Sequence, residues 1–147
     1  MTRFESQFPE LAAELQRAPI AKQRAACLAA CEYAVAQTKI EHPLVIEALR
    51  MMCVGEVLSD KHKRELEELV EQLDNEYFDL AEAFEEGGIS RSDYQKPFAK
   101  ARAVASVLYA FDPNPYDAAS EAIYEADAVT DEDAPGVLVP TIKAILE

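Results

Sequence analysis

The stretch FAKARAVASVLYAF, residues 98–111, is apolar except at Lys100, Arg102 and Ser106. If this stretch is a helix, its apolar side chains cover nearly the whole circumference, so other helices must surround it. It therefore predicts a helix in the middle of a bundle. The rest of the chain has to supply the helices around it.

Prolines and glycines divide the rest of the chain into helical segments. Prolines at positions 9, 19, 43 and 115 suit helix starts, and Ser59 can cap a segment that Gly87 and Gly88 end. The sequence shows no strand alternation, internal repeat or interdomain linker. It predicts an all-α fold, a single helical domain over residues 1–147 that forms a bundle of about six to seven helices.

The sequence leaves two helix boundaries undecided and predicts a third. A helix from Ser59 to Glu86 is long for a globular domain, so a bend or an early start is the alternative to one continuous helix. Pro97 either kinks the helix around it or opens a new one. The last helix is expected after Pro140.

Composition limits the classes of function. The formal net charge is −14 over 147 residues, and a surface that binds DNA or RNA needs cations, so nucleic-acid binding is not expected. No apolar run reaches the roughly 20 residues that span a bilayer, and the N-terminus lacks the apolar core of a secretory signal. The three cysteines fit a reducing compartment better than a disulfide framework. We expect a cytoplasmic protein without a membrane partner.

Residues 65–86, ELEELVEQLDNEYFDLAEAFEE, contain ten Asp or Glu and no Lys or Arg. At about 100° per residue, one helical face is apolar and is predicted to meet the core. That face comprises Leu66, Leu69, Leu73, Tyr77, Leu80 and Phe84. The opposite face comprises Glu68, Glu71, Asn75, Phe78, Asp79, Glu82 and Glu86.

A second acidic region covers residues 112–147, with a net charge of −8. It includes Asp131, Glu132 and Asp133, which we predict to lie in a loop. All residues outside the two regions together carry net +4. Lysine and arginine are thus used elsewhere in the chain but are absent from residues 65–86.

Two interpretations of the acidic face are open. A run of charge is usually a solvated surface. However, like charges one turn apart, such as Glu82 and Glu86, repel each other, and solvation alone does not require an aromatic residue at Phe78. An aromatic anchor ringed by charge is typical of protein interfaces, although a neighbouring loop or helix could instead cover Phe78. We predict a partner-binding surface made of Glu68, Glu71, Phe78, Asp79, Glu82 and Glu86.

No catalytic or metal-binding motif is convincing. Cys27 and Cys31 lie one helical turn apart, and His42 or His62 could complete a metal site, but the second ligand pair of common zinc sites is missing. We interpret both cysteines, and Cys53 as well, as small core residues. We expect no catalytic residues, no metal and no cofactor, and therefore not an enzyme.

Arg102 interrupts the most apolar segment, and a buried guanidinium requires a carboxylate partner. Glu32 and Glu47 lie on otherwise apolar predicted helices and are plausible partners. We interpret Arg102 as half of a structural ion pair. A ligand pocket near Arg102 and the face with Cys27 and Cys31 is the alternative.

Residues 24–56 combine RAACLAACEYAV with HPLVIEALRMMCVGE. A cysteine-containing Ala-rich helix, a short loop with His-Pro and an IEALR helix that ends in Gly-Glu resemble an all-helical family of predicted immunity proteins of bacterial polymorphic toxin systems. The later segments AKARAVASVLYA and DAASEAIYEA are loosely similar to that layout. The resemblance implies a stoichiometric inhibitor that neutralises a partner toxin by binding it.

The charge pattern favours the same class of function. Toxins that attack nucleic acid carry basic clefts, and an acidic face can be steered into such a cleft. Our leading hypothesis is a protein-binding module, an immunity protein that neutralises a basic toxin through acidic helical surfaces. The alternatives are a structural or adaptor protein of unknown role, and a small-ligand-binding protein or enzyme with a pocket near Arg102. The sequence does not indicate the oligomeric state.

Overall fold

The computed structural model describes residues 2–88, 91–129 and 136–147, and within these ranges the chain forms eight α-helices and no strand. The helices are α1 (Arg3–Gln7), α2 (Pro9–Arg17), α3 (Ile20–Thr38), α4 (Pro43–Val54), α5 (Asp60–Glu85), α6 (Arg91–Tyr109), α7 (Pro115–Asp127) and α8 (Leu138–Leu146). The all-α prediction is confirmed. The predicted loop with Asp131, Glu132 and Asp133 lies outside the described residues.

The predicted number of helices was slightly too low, because the short α1 was not recognised. Its start is a capping box: the Thr2 hydroxyl accepts from the Glu5 N–H, and the Glu5 carboxylate accepts from the Thr2 N–H. The T-x-x-E signature of this cap is present in the sequence. Phe4 of α1 is buried, which ties this short helix to the core.

Helix α6 is central, as its sequence predicts. It contacts α3, α4, α5 and α7, and its residues Ala103, Val104 and Val107 are fully buried. A single hydrophobic core collects buried side chains from all eight helices, from Phe4 in α1 to Ile142 in α8.

Pro97 lies inside α6, so it does not open a new helix. Pro140 also lies inside its helix, in the first turn of α8, where a missing N–H costs no intrahelical bond.

Small side chains let α3, α6 and α7 approach one another closely. Buried alanines follow one face of α3 at positions 26, 30 and 34, and one face of α7 at positions 118, 119, 122 and 126. Between them, the Ser106 hydroxyl donates to the Ala122 carbonyl at 2.8 Å. The Cys31 thiol donates to the Ser106 carbonyl at 3.4 Å. Cys27 is also buried, so the structure supports the interpretation of Cys27 and Cys31 as core residues.

Helix α5 is one continuous helix of 26 residues. The Ser59 hydroxyl accepts from the His62 N–H at 3.0 Å and caps the start, as predicted. Gly87 follows the end with a φ of 81°. The most extensive packing between any two helices of the described chain joins α5 to α6. Leu66 is buried there, and Leu69 and Leu73 are half-buried against the core.

Helix α4 is less buried than its apolar composition suggests. Only Val45 and Ala48 are buried, whereas Ile46 and Val54 are exposed. Cys53 is exposed as well, so its interpretation as a core residue was wrong. The reason is geometric: the buried face of α4 is narrow, and Cys53 is rotated by about 110° from its centre.

Lys39 ends α3 in the left-handed conformation, and it is the one non-glycine residue of the described ranges with a positive φ, 56°. This conformation costs a residue with a Cβ about 1 kcal/mol. We predict that Lys39→Gly raises the free energy of unfolding by about 1 kcal/mol in urea denaturation. Lys39→Ala is the matched control, because it removes the side chain but keeps the Cβ. Equal stability of the two variants would contradict the prediction.

Candidate partner-binding surface

The structure brings the six predicted partner-binding residues together on one side of α5. They are Glu68, Glu71, Phe78, Asp79, Glu82 and the C-cap residue Glu86, and all six are exposed. We call this set the acidic face. With 1.5 Å of rise and about 100° of turn per residue, the face is about 27 Å long and covers about 100° of arc.

Phe78 stands uncovered on this face. Phe78 is 65% exposed, so none of the described loops and helices covers it. Its ring centroid lies 5.3 Å from that of Tyr77, which in turn lies 5.2 Å from the ring of Phe98 in α6. The three rings form a series that runs from the surface to the neighbouring helix. Phe78 is therefore a supported aromatic side chain that projects into solvent.

No described cationic side chain pairs with the carboxylates around Phe78. The ion pairs formed within the described ranges involve none of the five acidic residues of the acidic face. The last turn of α5 contains no basic residue. Glu82 and Glu86 thus lie near the negative end of the helix dipole, where a carboxylate is destabilising. This end of α5 carries electrostatic repulsion that a cationic partner would relieve.

Arg102 holds α5 in place from the inner side. Its guanidinium donates to Asp74 of α5 at 3.2 Å and to Glu125 of α7 at 3.0 Å. The interpretation of a structural ion pair is supported, but both predicted partners were wrong. Glu32 is exposed on α3, and Glu47 pairs with Arg50 on α4 at 2.6 Å. Arg102 points between α5 and α7, away from those two residues.

The Arg102 pair is largely shielded from water, with side-chain exposures of 22% for Arg102 and 4% for Glu125. Burial raises the pKa of Glu125, and the charge and hydrogen bond of Arg102 partly offset this rise. The guanidinium is thus engaged by two carboxylates. Two surface clefts of about 330 Å³ each are formed by other residues and do not include Arg102.

Both histidines have local structural contacts. The His42 Nδ1 accepts from the Leu44 N–H at 3.2 Å and caps α4, while the His62 Nε2 lies 3.2 Å from the Leu44 carbonyl and donates to it. The Cys27 and Cys31 thiols instead face carbonyls of residues 110 and 106. Across the ranges that the structure describes, no three His, Cys, Asp or Glu side chains are grouped so that they could hold a metal ion.

The sequence interpretation did not identify three exposed apolar residues on α4 and just after it. Ile46 and Val54 of α4 and the following Val57 are exposed. Their exposure follows from the placement of α4 at the edge of the bundle.

Among the described helices, none combines the length and the apolar character that crossing a membrane requires.

Comparison with known proteins yields no family. No family model matches the chain, and no curated protein and no solved structure matches it significantly. The resemblance of residues 24–56 to immunity proteins therefore stays a prediction.

We predict that Arg102→Met destabilises the fold by about 3 kcal/mol at pH 7, because it leaves the buried Glu125 carboxylate without a cation. The pKa of Glu125 is raised in the folded state, so the folded chain binds this proton more tightly than the unfolded chain does. Ionising Glu125 therefore lowers the free energy of unfolding as the pH rises towards that pKa. The deficit should therefore shrink as pH falls and Glu125 becomes protonated. Urea denaturation between pH 5 and 8 measures it.

Two further variants serve as controls for Arg102→Met. The double variant Arg102→Met with Glu125→Gln should recover part of the lost stability and lose the added pH dependence. Arg50→Met removes two surface ion pairs, with Glu47 and Glu56, and should have a much smaller effect. A deficit that does not vary with pH would show that Glu125 is not the group left unpaired.

We predict that Glu82→Gln with Glu86→Gln raises Tm by a few degrees, because it removes charge repulsion and unfavourable dipole contacts at the end of α5. Added salt should reduce this gain, since exposed charges are screened. Thermal denaturation at low and high salt tests this. Glu32→Gln with Glu76→Gln is the matched control, because it removes two exposed charges from helix interiors, away from the ends of the helix dipoles. An equal gain in the control would point to net charge alone.

Proposed function

We propose that this chain is a protein-binding module whose acidic face on α5 docks onto a basic partner. The observation that carries the proposal is Phe78, 65% exposed among carboxylates that have no cationic partner in the described ranges. A solvated helix face does not require an exposed aromatic ring. An interface does, because a central aromatic anchor contributes much of the binding energy.

The two components of the face have different roles in binding. The carboxylates attract a basic surface and raise the association rate. Phe78 enters an apolar pocket of the partner and slows dissociation. Because Tyr77 already supports the Phe78 ring, little side-chain entropy is lost when the complex forms.

Within this class, we propose an immunity protein that binds and neutralises a basic toxin. Two independent arguments favour it: the resemblance of residues 24–56 to predicted immunity proteins, and a negative face suited to the cationic cleft of an enzyme that acts on nucleic acid. Neutralisation needs no catalytic residue in the inhibitor, because occupying the cleft is sufficient.

A growth assay tests the immunity proposal. The product of the neighbouring reading frame is expressed alone, and then together with this chain, in a host that lacks both. We expect growth arrest in the first case and growth in the second. Normal growth in the first case would reject the immunity role towards that product.

Charge reversal tests which surface acts. Glu71→Lys with Glu82→Lys, and separately Phe78→Ala, should abolish protection and weaken binding of the purified partner. Glu10→Lys with Glu32→Lys makes the same change in net charge away from α5 and should preserve protection. Circular dichroism should show that all variants stay folded. Protection by the Glu71 and Glu82 variant would contradict docking through the acidic face.

A structural or adaptor role is the second candidate, and the exposed apolar residues on α4 and just after it favour it. In that case, the partner docks on Ile46, Val54 and Val57, and the acidic face only keeps the protein soluble. Val54→Ser with Val57→Ser would then weaken binding, while the variants of α5 would have no effect. The same binding assay separates the two candidates.

A further inference from the structure

A cleft of about 330 Å³ lies on another side of α5 from the acidic face, between the α3–α4 connection and the pair α5 and α6. Its apolar surface comes from Ile40 of the connection, Leu69 and Leu73 of α5, and Val104 of α6. Val104 is buried and the other three side chains are half-buried. The volume is that of a small-molecule site, for which about 300 Å³ is the lower limit.

Two lysines flank this apolar surface. Lys39 comes from the α3–α4 connection and Lys100 from α6, so the cations approach the cleft from different elements. Both are exposed, and neither takes part in an ion pair formed within the described ranges. In a chain with a net charge of −14, two uncompensated lysines beside one apolar cleft form a local site for an anion.

Two further polar residues line the cleft. His42 uses Nδ1 as an acceptor for the Leu44 N–H, so its neutral ring carries the proton on Nε2 and offers a donor. Glu41 contributes a single carboxylate and pairs with neither lysine. Cations and donors therefore outnumber anions at the cleft. An occupant that matches it has an apolar body and one negative group.

We propose that this cleft binds a small amphipathic carboxylate, with its apolar chain on Leu69, Leu73 and Val104 and its carboxylate between Lys39 and Lys100. The left-handed backbone at Lys39 fixes the direction from which that side chain leaves the connection. The site does not depend on the partner-binding proposal, because Leu69 and Leu73 lie on the face of α5 that is turned away from Phe78.

Decanoate and 1-decanol are the probes, because they share an apolar chain and differ in charge. Displacement of the fluorescent anion 8-anilinonaphthalene-1-sulfonate, followed by calorimetry, measures their affinities for the full chain. We expect saturable binding of one decanoate per chain. Decanol should bind about tenfold more weakly, because it lacks the charge that the lysines recognise. Equal affinities, or no saturable binding of decanoate, would overturn the proposal.

The lysines are tested by Lys39→Gln with Lys100→Gln, which should weaken decanoate binding about tenfold and leave decanol binding unchanged. Lys61→Gln with Lys63→Gln is the matched control, because it removes the same charge from the exposed start of α5 outside the cleft. Its decanoate affinity should equal that of the native chain. All four lysines are exposed, so these variants should fold. Native affinity in the Lys39 and Lys100 variant would overturn the proposal.

Discussion

The close approach of three helices at Ser106 is the constraint on which the bundle depends. Its hydroxyl donates to Ala122 of α7, and its own carbonyl accepts from the Cys31 thiol of α3. Burial raises the pKa of the Cys31 thiol, which keeps it a neutral donor. A larger residue at any of these positions would force the backbones apart, and overpacking of a close-packed core costs about 1–3 kcal/mol. The alanines of α3 and α7 follow from the same requirement.

Helices α3, α6 and α7 form the centre of the bundle, and α5 packs mainly against α6. This packing explains how α5 stays helical despite its many carboxylates. Each like-charge pair on α5 costs about 0.2–0.5 kcal/mol. Burying one leucine side chain contributes about 1.5–3 kcal/mol, less where burial is partial. Leu66 is buried, and Leu69, Val70 and Leu73 also pack against the core. Packing therefore outweighs repulsion by several-fold, and the outer side of α5 is free to carry charge.

The sequence was sufficient for features that a single helix determines. The all-round apolar character of residues 98–111 placed α6 in the centre, and Ser59 marked the start of α5. Features that depend on how helices face one another were not predictable in this way. Glu125 was overlooked as the mate of Arg102, although a carboxylate between Ala122 and Ala126 in an Ala-rich helix is a usable signal. Cys53 of α4 was mistaken for a core residue, because the sequence does not show how many neighbours a helix has.

The grouping of the acidic-face residues on one side of α5 was predictable, because these residues repeat at helical spacing along a single helix. Phe78 was identified because an aromatic residue is unexpected among carboxylates. Its exposure was not predictable, since that depends on whether another segment crosses α5. No sequence pattern indicated the cleft between Lys39 and Lys100, because those residues lie far apart along the chain, in the α3–α4 connection and in α6.

Arg102 connects the core to the acidic face. Asp74 precedes Phe78 by one helical turn, so the ion pair fixes α5 to α6 directly beside the exposed ring. A partner that docks there meets a helix that is already positioned, which lowers the entropic cost of binding. The cluster adds no net positive charge beside the face, because Arg102 is paired with two carboxylates, Asp74 and Glu125. Arg102, which is only partly exposed, thus positions α5 next to the acidic face.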